Sequence, residues 1–501
     1  MAATIDLSQL PDISDQLVTP DNPARDSAEG MDVARCVALH NYLVHYAWVA
    51  QGRSPDSLRR NSYTYFAVKG DAAEAIRPRL HPSLAAFLDT AILPLYQYRP
   101  SGYLFYYAHY FNDPRYLFDN DAADLQDMPA DSLVNLYSGG MEIESGGGLF
   151  YHQGSHCAVV FMHMDAHDQA FPIEAHEELW HPFETVLSNW INLIHIGKVV
   201  GSLPDEPGLF DCEKFMCWEW RPYSDAQVDT CIAAWDRLCE AIEARISSST
   251  AGRAVDNKDN DNKDNNNRRN SGLVPQAVLD AASVPDPGFA RAFLTRARRP
   301  LFHRIAPGLV LPAMDEAGFA EEQPYTRLPR SSPYSIPPVC LFPAAGEHLV
   351  KLTSMTCAFT DDFSASSVHS NIPPRVNAGV YSESVERNRV DNAEEGFRLL
   401  LPFSFMERDW ENTGLGARKS DGSLAGADSP GNVGCLFQHG YKPFGGENLR
   451  PQRLECLFNC WRKLIVDSVW SVGPEGVEGT LDTFREADGE RWRHYYIPPS
   501  W

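Results

Sequence analysis

The sequence predicts an α+β protein of two similar halves, the product of an internal duplication, packed with pseudo-twofold symmetry. Three observations predict it. Four short motifs recur in the same order at a nearly constant offset. Some segments carry apolar residues at helical spacing, while others alternate like strands. A tract of Asn, Asp and Lys that cannot bury apolar surface divides the 501 residues nearly in half.

In chain order, residues 1–30 are acidic, Pro-bearing and poor in apolar periodicity, and read as a loose arm. Residues 31–246 form the first half, 247–272 a solvated linker, and 273–501 the second half. Residues 412–432 are rich in Gly, Ser and Asp and read as a long surface loop.

The repeat begins with Gly147-Gly-Leu-Phe-Tyr-His152 against Gly434-Cys-Leu-Phe-Gln-His439. Glu184-Thr-Val-Leu-Ser-Asn-Trp190 then matches Glu455-Cys-Leu-Phe-Asn-Cys-Trp461 at an offset of 271. Gly208-Leu-Phe-Asp211 matches Gly479-Thr-Leu-Asp482 at that offset, and Trp220-Arg-Pro-Tyr223 matches Trp492-Arg-His-Tyr495 at 272. The Leu-Phe-x-His runs read as strand ends. An amphipathic helix follows each. Phe183, Val186, Leu187, Trp190, Leu193 and Ile194 line its apolar face in the first copy. Leu454, Leu457, Phe458, Trp461, Leu464 and Ile465 do so in the second. Pro182 and Pro451 stand near the helix starts, where a missing N–H costs least. Phe215–Trp220 alternates like a strand, and Asp225–Ile246 reads as a helix closing the first half.

Charge excludes several functions. Acidic residues outnumber basic ones by 24, so a nucleic-acid partner and an anionic membrane surface are not expected. The one basic run, Arg291 to Arg304, reads as the solvated face of a short helix. No apolar window is long enough to span a membrane, and the N-terminus lacks the basic and apolar regions of a secretory signal. Eleven scattered cysteines without a Cys-x-x-Cys pair fit reduced thiols, so the expected address is cytoplasmic. Dinucleotide, P-loop and nucleophile-elbow glycine motifs are absent.

Four constellations could carry chemistry. Between His152 and His181 fall six of the 16 histidines. His163, Asp165 and His167 have period two and would share one face if the strand Ala158–Met164 continues. Two imidazoles and a carboxylate make most of a divalent-metal site with an open position, the only cofactor the sequence suggests. The competing reading is a surface insertion, because His152 to Trp190 spans 38 positions and His439 to Trp461 only 22. His152 and His439 occupy equivalent repeat positions and are candidate acid/base residues, against a structural reading in which backbone hydrogen bonds hold them. Arg221 and Arg493 each sit in Trp-Arg-x-Tyr and could clamp a carboxylate or phosphate. Their bland reading is stacking on the neighbouring Trp with a salt bridge to Asp211 or Asp482. Asp361-Asp362 is a weak Mg²⁺ pair.

The expected function is therefore a small-molecule enzyme of hydrolase, lyase or cyclase type, metal- or histidine-assisted, with its site at the seam between halves. The alternative is a non-catalytic ligand-binding or scaffold protein. Substrate, metal identity and oligomeric state are not written in the sequence.

Overall fold

The computed structural model describes residues 5, 9–96, 99–100, 102–118, 128–129, 131–140, 143, 146–163, 166, 170–203, 205–212, 214–250, 272–330, 332–352, 359, 375–389, 391–405, 415–426, 433–447 and 450–500. Helices and sheets mix throughout, and two large apolar cores divide the chain near residue 222.

The first unit begins with an arm that is strapped down. The Arg35 guanidinium donates to the carbonyls of Gln16, Leu17, Asn22 and Pro23, and Leu10 and Ile13 enter the core. Arg25 N–H donates to Glu184 and Val18 N–H to Ser188. The loose arm expected from composition is thus corrected over these residues: one buried guanidinium gathers the carbonyls that the irregular segment leaves unpaired.

Asp32 caps the helix Val33–Ala50 by accepting from Arg35 N–H at 3.1 Å. That helix packs on the Trp190 helix, Phe183–His195. Both lie against a six-stranded antiparallel sheet that runs in sequence order from Tyr103–Phe105 to His181–Pro182. Gly148–His152 and Cys157–Phe161 form its central hairpin, with His152 opposite Cys157. A small third core, including Phe150, Phe161 and Trp180, covers the other sheet face.

The second unit opens with the helix Asp225–Thr250. Val228, Trp235, Leu238 and Ile242 are buried, as their spacing predicts, but in the second core, where the helix packs on the Trp461 helix, Leu454–Val466. The expectation that it closes the first half is corrected. The polar tract 251–271 lies outside the described residues, and it follows the first helix of the second unit rather than separating the units. A three-stranded antiparallel sheet of Cys340–Pro343, Gly379–Ser382 and Phe397–Leu400 supports this core.

The two Trp helices end alike. Gly197 adopts φ +70° and Ser468 φ +58°. Gly197 N–H donates to Ile194 O and Lys198 N–H to Leu193 O. Ser468 N–H donates to Ile465 O and Val469 N–H to Leu464 O, the same pair of bonds. Both helices bury their tryptophan completely.

Other expectations change. Phe215–Trp220 is two short strands separated by a turn at Met216, where φ is +54°. In the segment expected as a surface loop, Lys419, Ser420 and Asp421 are buried, because Asp421 accepts from Ser423 and from the Tyr441 N–H. The basic run is not a solvated face: Arg291 is buried on Asp280, Arg298 pairs with Glu243, and Arg299 donates to two carbonyls. Among the described residues no helix is long and apolar enough to cross a membrane.

Candidate functional site

The units meet along a buried polar seam. The segment 382–395 supplies its acids and residues 438–453 most of its cations. Lys198 of the first unit donates to Glu395 at 2.9 Å and to the carbonyls of Pro222 and Asn392. Its ammonium therefore has three acceptors, although burial lowers its pKa and Glu395 opposes that shift. Trp220 Nε1–H donates to Asn392 O at 2.7 Å. Tyr107 donates to Asp391 at 2.6 Å and accepts from Arg450 at 3.0 Å, while Arg450 Nη1 lies 3.1 Å from Asp391. Tyr107, Asp391 and Arg450 are all buried.

One loop of the second unit reaches into the first. Phe444 belongs to the first core, and its carbonyl accepts from Trp190 Nε1–H at 2.8 Å. Pro443 O accepts from Val160 N–H on the sheet. Gly445 and Gly446 follow with φ of +94° and +105°. A Cβ at Gly445 would stand 2.7 Å from the Tyr107 ring, and one at Gly446 1.3 Å from Arg450 Nη2. Only glycine lets the loop pass between these groups.

This crossing creates a narrow pocket of about 10 Å³, room for about one water. Phe161, Met162 and Leu179 give it apolar walls, and His163, Tyr441 and Lys442 give it polarity. Lys442 is 4% exposed, and its ammonium position has one hydrogen-bond partner among the described residues, the carbonyl of Glu447. Burial holds its pKa well below the ordinary lysine value; Arg450 and Arg398 push the same way, and Asp391 and Glu447 oppose. Such surroundings disfavour the charged ammonium relative to the neutral amine.

No family model, curated protein or solved structure matches the chain.

The residues expected from sequence fall in several places. His163 lines the seam pocket and stands 6.3 Å, ring to ring, from Tyr441. The strand ends at Phe161, so His163 lies beyond it and the period-two premise fails there. Asp165 and His167 lie outside the described residues, as do Asp361 and Asp362. Among the described residues no group of three His, Cys, Asp or Glu side chains is arranged to hold a metal.

His152 and His439 share no hydrogen-bond partner among the described residues. His152 ends a strand, with Nδ1 at 2.9 Å from Ser155 Oγ and accepting from Ser155 N–H, the local arrangement of a hairpin turn. His439 is 4% exposed, and its ring nitrogens have no partner among the described residues. Burial, then Lys442, Arg450, Arg453 and Arg398, hold its pKa well below the usual value, so the ring is neutral. The Leu-Phe-x-His match does not carry one conformation: Leu149–His152 is strand, whereas Phe437 has φ +66° in a turn. Arg221 pairs with Glu219 at 3.2 Å, and the Asp211 side chain lies outside the described residues. Arg493 is exposed and stacks on Trp492, and Asp482 pairs with Arg485 instead.

Sequence reasoning missed Lys442, Tyr441, Tyr107, Asp391 and Arg450. The available signals were Gly445-Gly446 after Lys442-Pro443, and the density of charge in 382–395 between apolar strands.

Proposed function

We propose that the protein is a small-molecule enzyme whose site lies at the seam, with Lys442 and His163 as its proton-transfer groups. The supporting observation is Lys442 itself. It is buried, bounds a pocket that exists only where the units meet, and lacks a carboxylate partner among the described residues. Burying a lysine without a counter-ion is unfavourable and disfavours its charged form, so a proton-handling role gives the residue a reason to be there. His163 brings a second titratable group from the other unit.

We further propose that the units are copies of one ancestral α+β unit, related by a pseudo-twofold. Support comes from the Trp helices, which share their length and terminal hydrogen bonds at an offset of 271. The helices Pro82–Thr90 and Phe289–Arg296 add to it. Each ends at an extended alanine, Ala91 or Ala297, whose N–H returns to a buried phenylalanine. On this reading the copies are approximately 1–222 and 223–501.

The test is turnover of a metabolite extract by the purified full chain, followed by mass spectrometry, beside Lys442→Met and His163→Ala. Consumption of a small metabolite by the wild type, lost in both folded variants, is the expected result. No consumption across the extract by well-folded wild-type protein would overturn the enzyme reading.

A further inference from the structure

We propose a second ligand site, apart from the seam, that takes a small carboxylate with an apolar body. It is a cavity of about 370 Å³ in the second unit, between residues 299–303 on one side and Leu311 and Met314 on the other. That volume falls in the range of about 300–1,000 Å³ typical of small-molecule sites, whereas the seam pocket holds about one water.

The cavity is held in shape by the chain itself. Leu311 N–H donates to His303 O at 3.0 Å, and the His303 and Arg304 N–H groups both donate to Glu475 O. The Arg299 guanidinium donates to Leu273 O at 2.7 Å and to Pro312 O at 2.9 Å. These bonds tie the two walls together and fix the guanidinium against the wall that contains Leu311 and Met314. Phe302 and Leu311 are buried in the second core, so the apolar lining is anchored in packed structure. A preformed site spends less of its binding energy on ordering.

The lining selects the ligand. Leu301 and Met314 are 49% and 40% exposed, among the few large apolar side chains that the described residues leave in water, and both line this cavity. An apolar body filling it removes them from water. Methionine is unbranched and adapts to the shape it meets. The ionisable residues of the lining are Arg299 and His303, and none is Asp or Glu, in a chain where acids outnumber bases by 24. Glu322, which accepts from Ala313 N–H, is an acid that bears on Arg299. Burial pushes its pKa up to about 7, so near neutrality it offsets only part of the guanidinium charge. An anionic group at one end of the ligand is therefore favoured and a cationic one repelled. One guanidinium and one imidazole beside apolar walls match the single charge of a carboxylate better than a phosphate dianion, which needs more donors.

The experiment is an NMR titration of the full chain carrying methyl-labelled methionine, with the Met314 resonance assigned by Met314→Leu. The probes are octanoate, octanol and octylammonium, which share a tail and differ in the head group. Octanoate is expected to shift the Met314 methyl saturably and to bind about tenfold more tightly than either of the others. Leu301→Asp, at a half-exposed position, is expected to remove the saturable shift while the melting temperature stays near that of the wild type. The wild-type titrations need no variant beyond the assignment, so a misfolded Leu301→Asp protein does not obscure them. No saturable shift of Met314 with any probe overturns the site. Octanol or octylammonium binding as tightly as octanoate overturns the carboxylate. Saturation that survives unchanged in folded Leu301→Asp overturns the placement in this cavity.

Discussion

Lys198 and Glu395 form an ion pair across the seam at 2.9 Å, with side chains 0% and 3% exposed. One belongs to each unit, so the pair reports on their docking. Gln227 donates to the second carboxylate oxygen at 3.0 Å. Removing one partner leaves an uncompensated buried charge, which costs about 3–5 kcal/mol. Lys198→Met and Glu395→Met are each expected to lower the denaturation midpoint strongly. The double variant should lose less than their sum, as a double-mutant cycle in urea would measure.

Gly446→Ala should be far worse than Gly346→Ala. Both positions are left-handed, with φ of +105° and +89°, but an added methyl meets Arg450 at the first and nothing within 4 Å at the second. Backbone strain alone gives about 1 kcal/mol for Gly346→Ala, while displacing Arg450 from Asp391 adds about 3 kcal/mol or more to Gly446→Ala. Melting temperatures of the two variants, measured side by side, check this.

Acid should destabilise the fold through buried histidines. Burial lowers the His40 pKa to about 4, with a hydrogen bond to Ile92 O opposing. The neutral ring donates from Nε2 to Ile92 O and accepts from Tyr137 at Nδ1. The unfolded chain binds a proton below about pH 6.5 and the folded ring only below about 4. Stability is therefore full above pH 6.5, falls across that window, and is lost by about pH 4, a change of about 3 kcal/mol for this group. His439 acts in the same direction. Urea midpoints between pH 7 and 4 should fall less steeply in His40→Gln than in the wild type.

Alkali should do the reverse through Lys442. Its folded pKa is depressed, so the unfolded chain holds the extra proton up to about pH 10.4. Stability contributed by this group rises with pH from the folded pKa to that limit. Lys442→Met removes the dependence and should equal or exceed the wild type at neutral pH. Melting temperatures from pH 7 to 10 would show the two curves converging as the wild type rises.

Replacing residues 256–270 with a Gly/Ser tract of equal length should leave the melting temperature unchanged. The segment is Asn, Asp, Lys and Arg throughout, and lacks apolar surface to bury. A drop of several degrees would show that these residues make contacts the composition does not suggest.

The Trp helices were legible because a 3.6-residue period fixes which face is apolar, and Phe183–His195 and Leu454–Val466 bury the faces read from sequence. The partner of Asp225–Thr250 was not, since Val228, Trp235 and Leu238 require burial without saying against which core. His152 and His439 misled because a shared tetrapeptide does not fix φ at Phe437. Lys442 was invisible for a further reason. A lone lysine beside proline reads as exposed, and the pocket it lines is walled by residues far away in the chain, notably Phe161 and Met162.

The Trp190–Phe444 bond joins positions 254 residues apart. At a synthesis rate of about 5–20 residues per second, Phe444 leaves the ribosome roughly 10–50 s after Trp190. Through that interval the nascent first unit has its strands and helices but an open wall where Phe444 will sit. Premature stop codons before Phe444 should therefore yield insoluble product rather than a half-length folded protein, as the soluble fraction after expression would show.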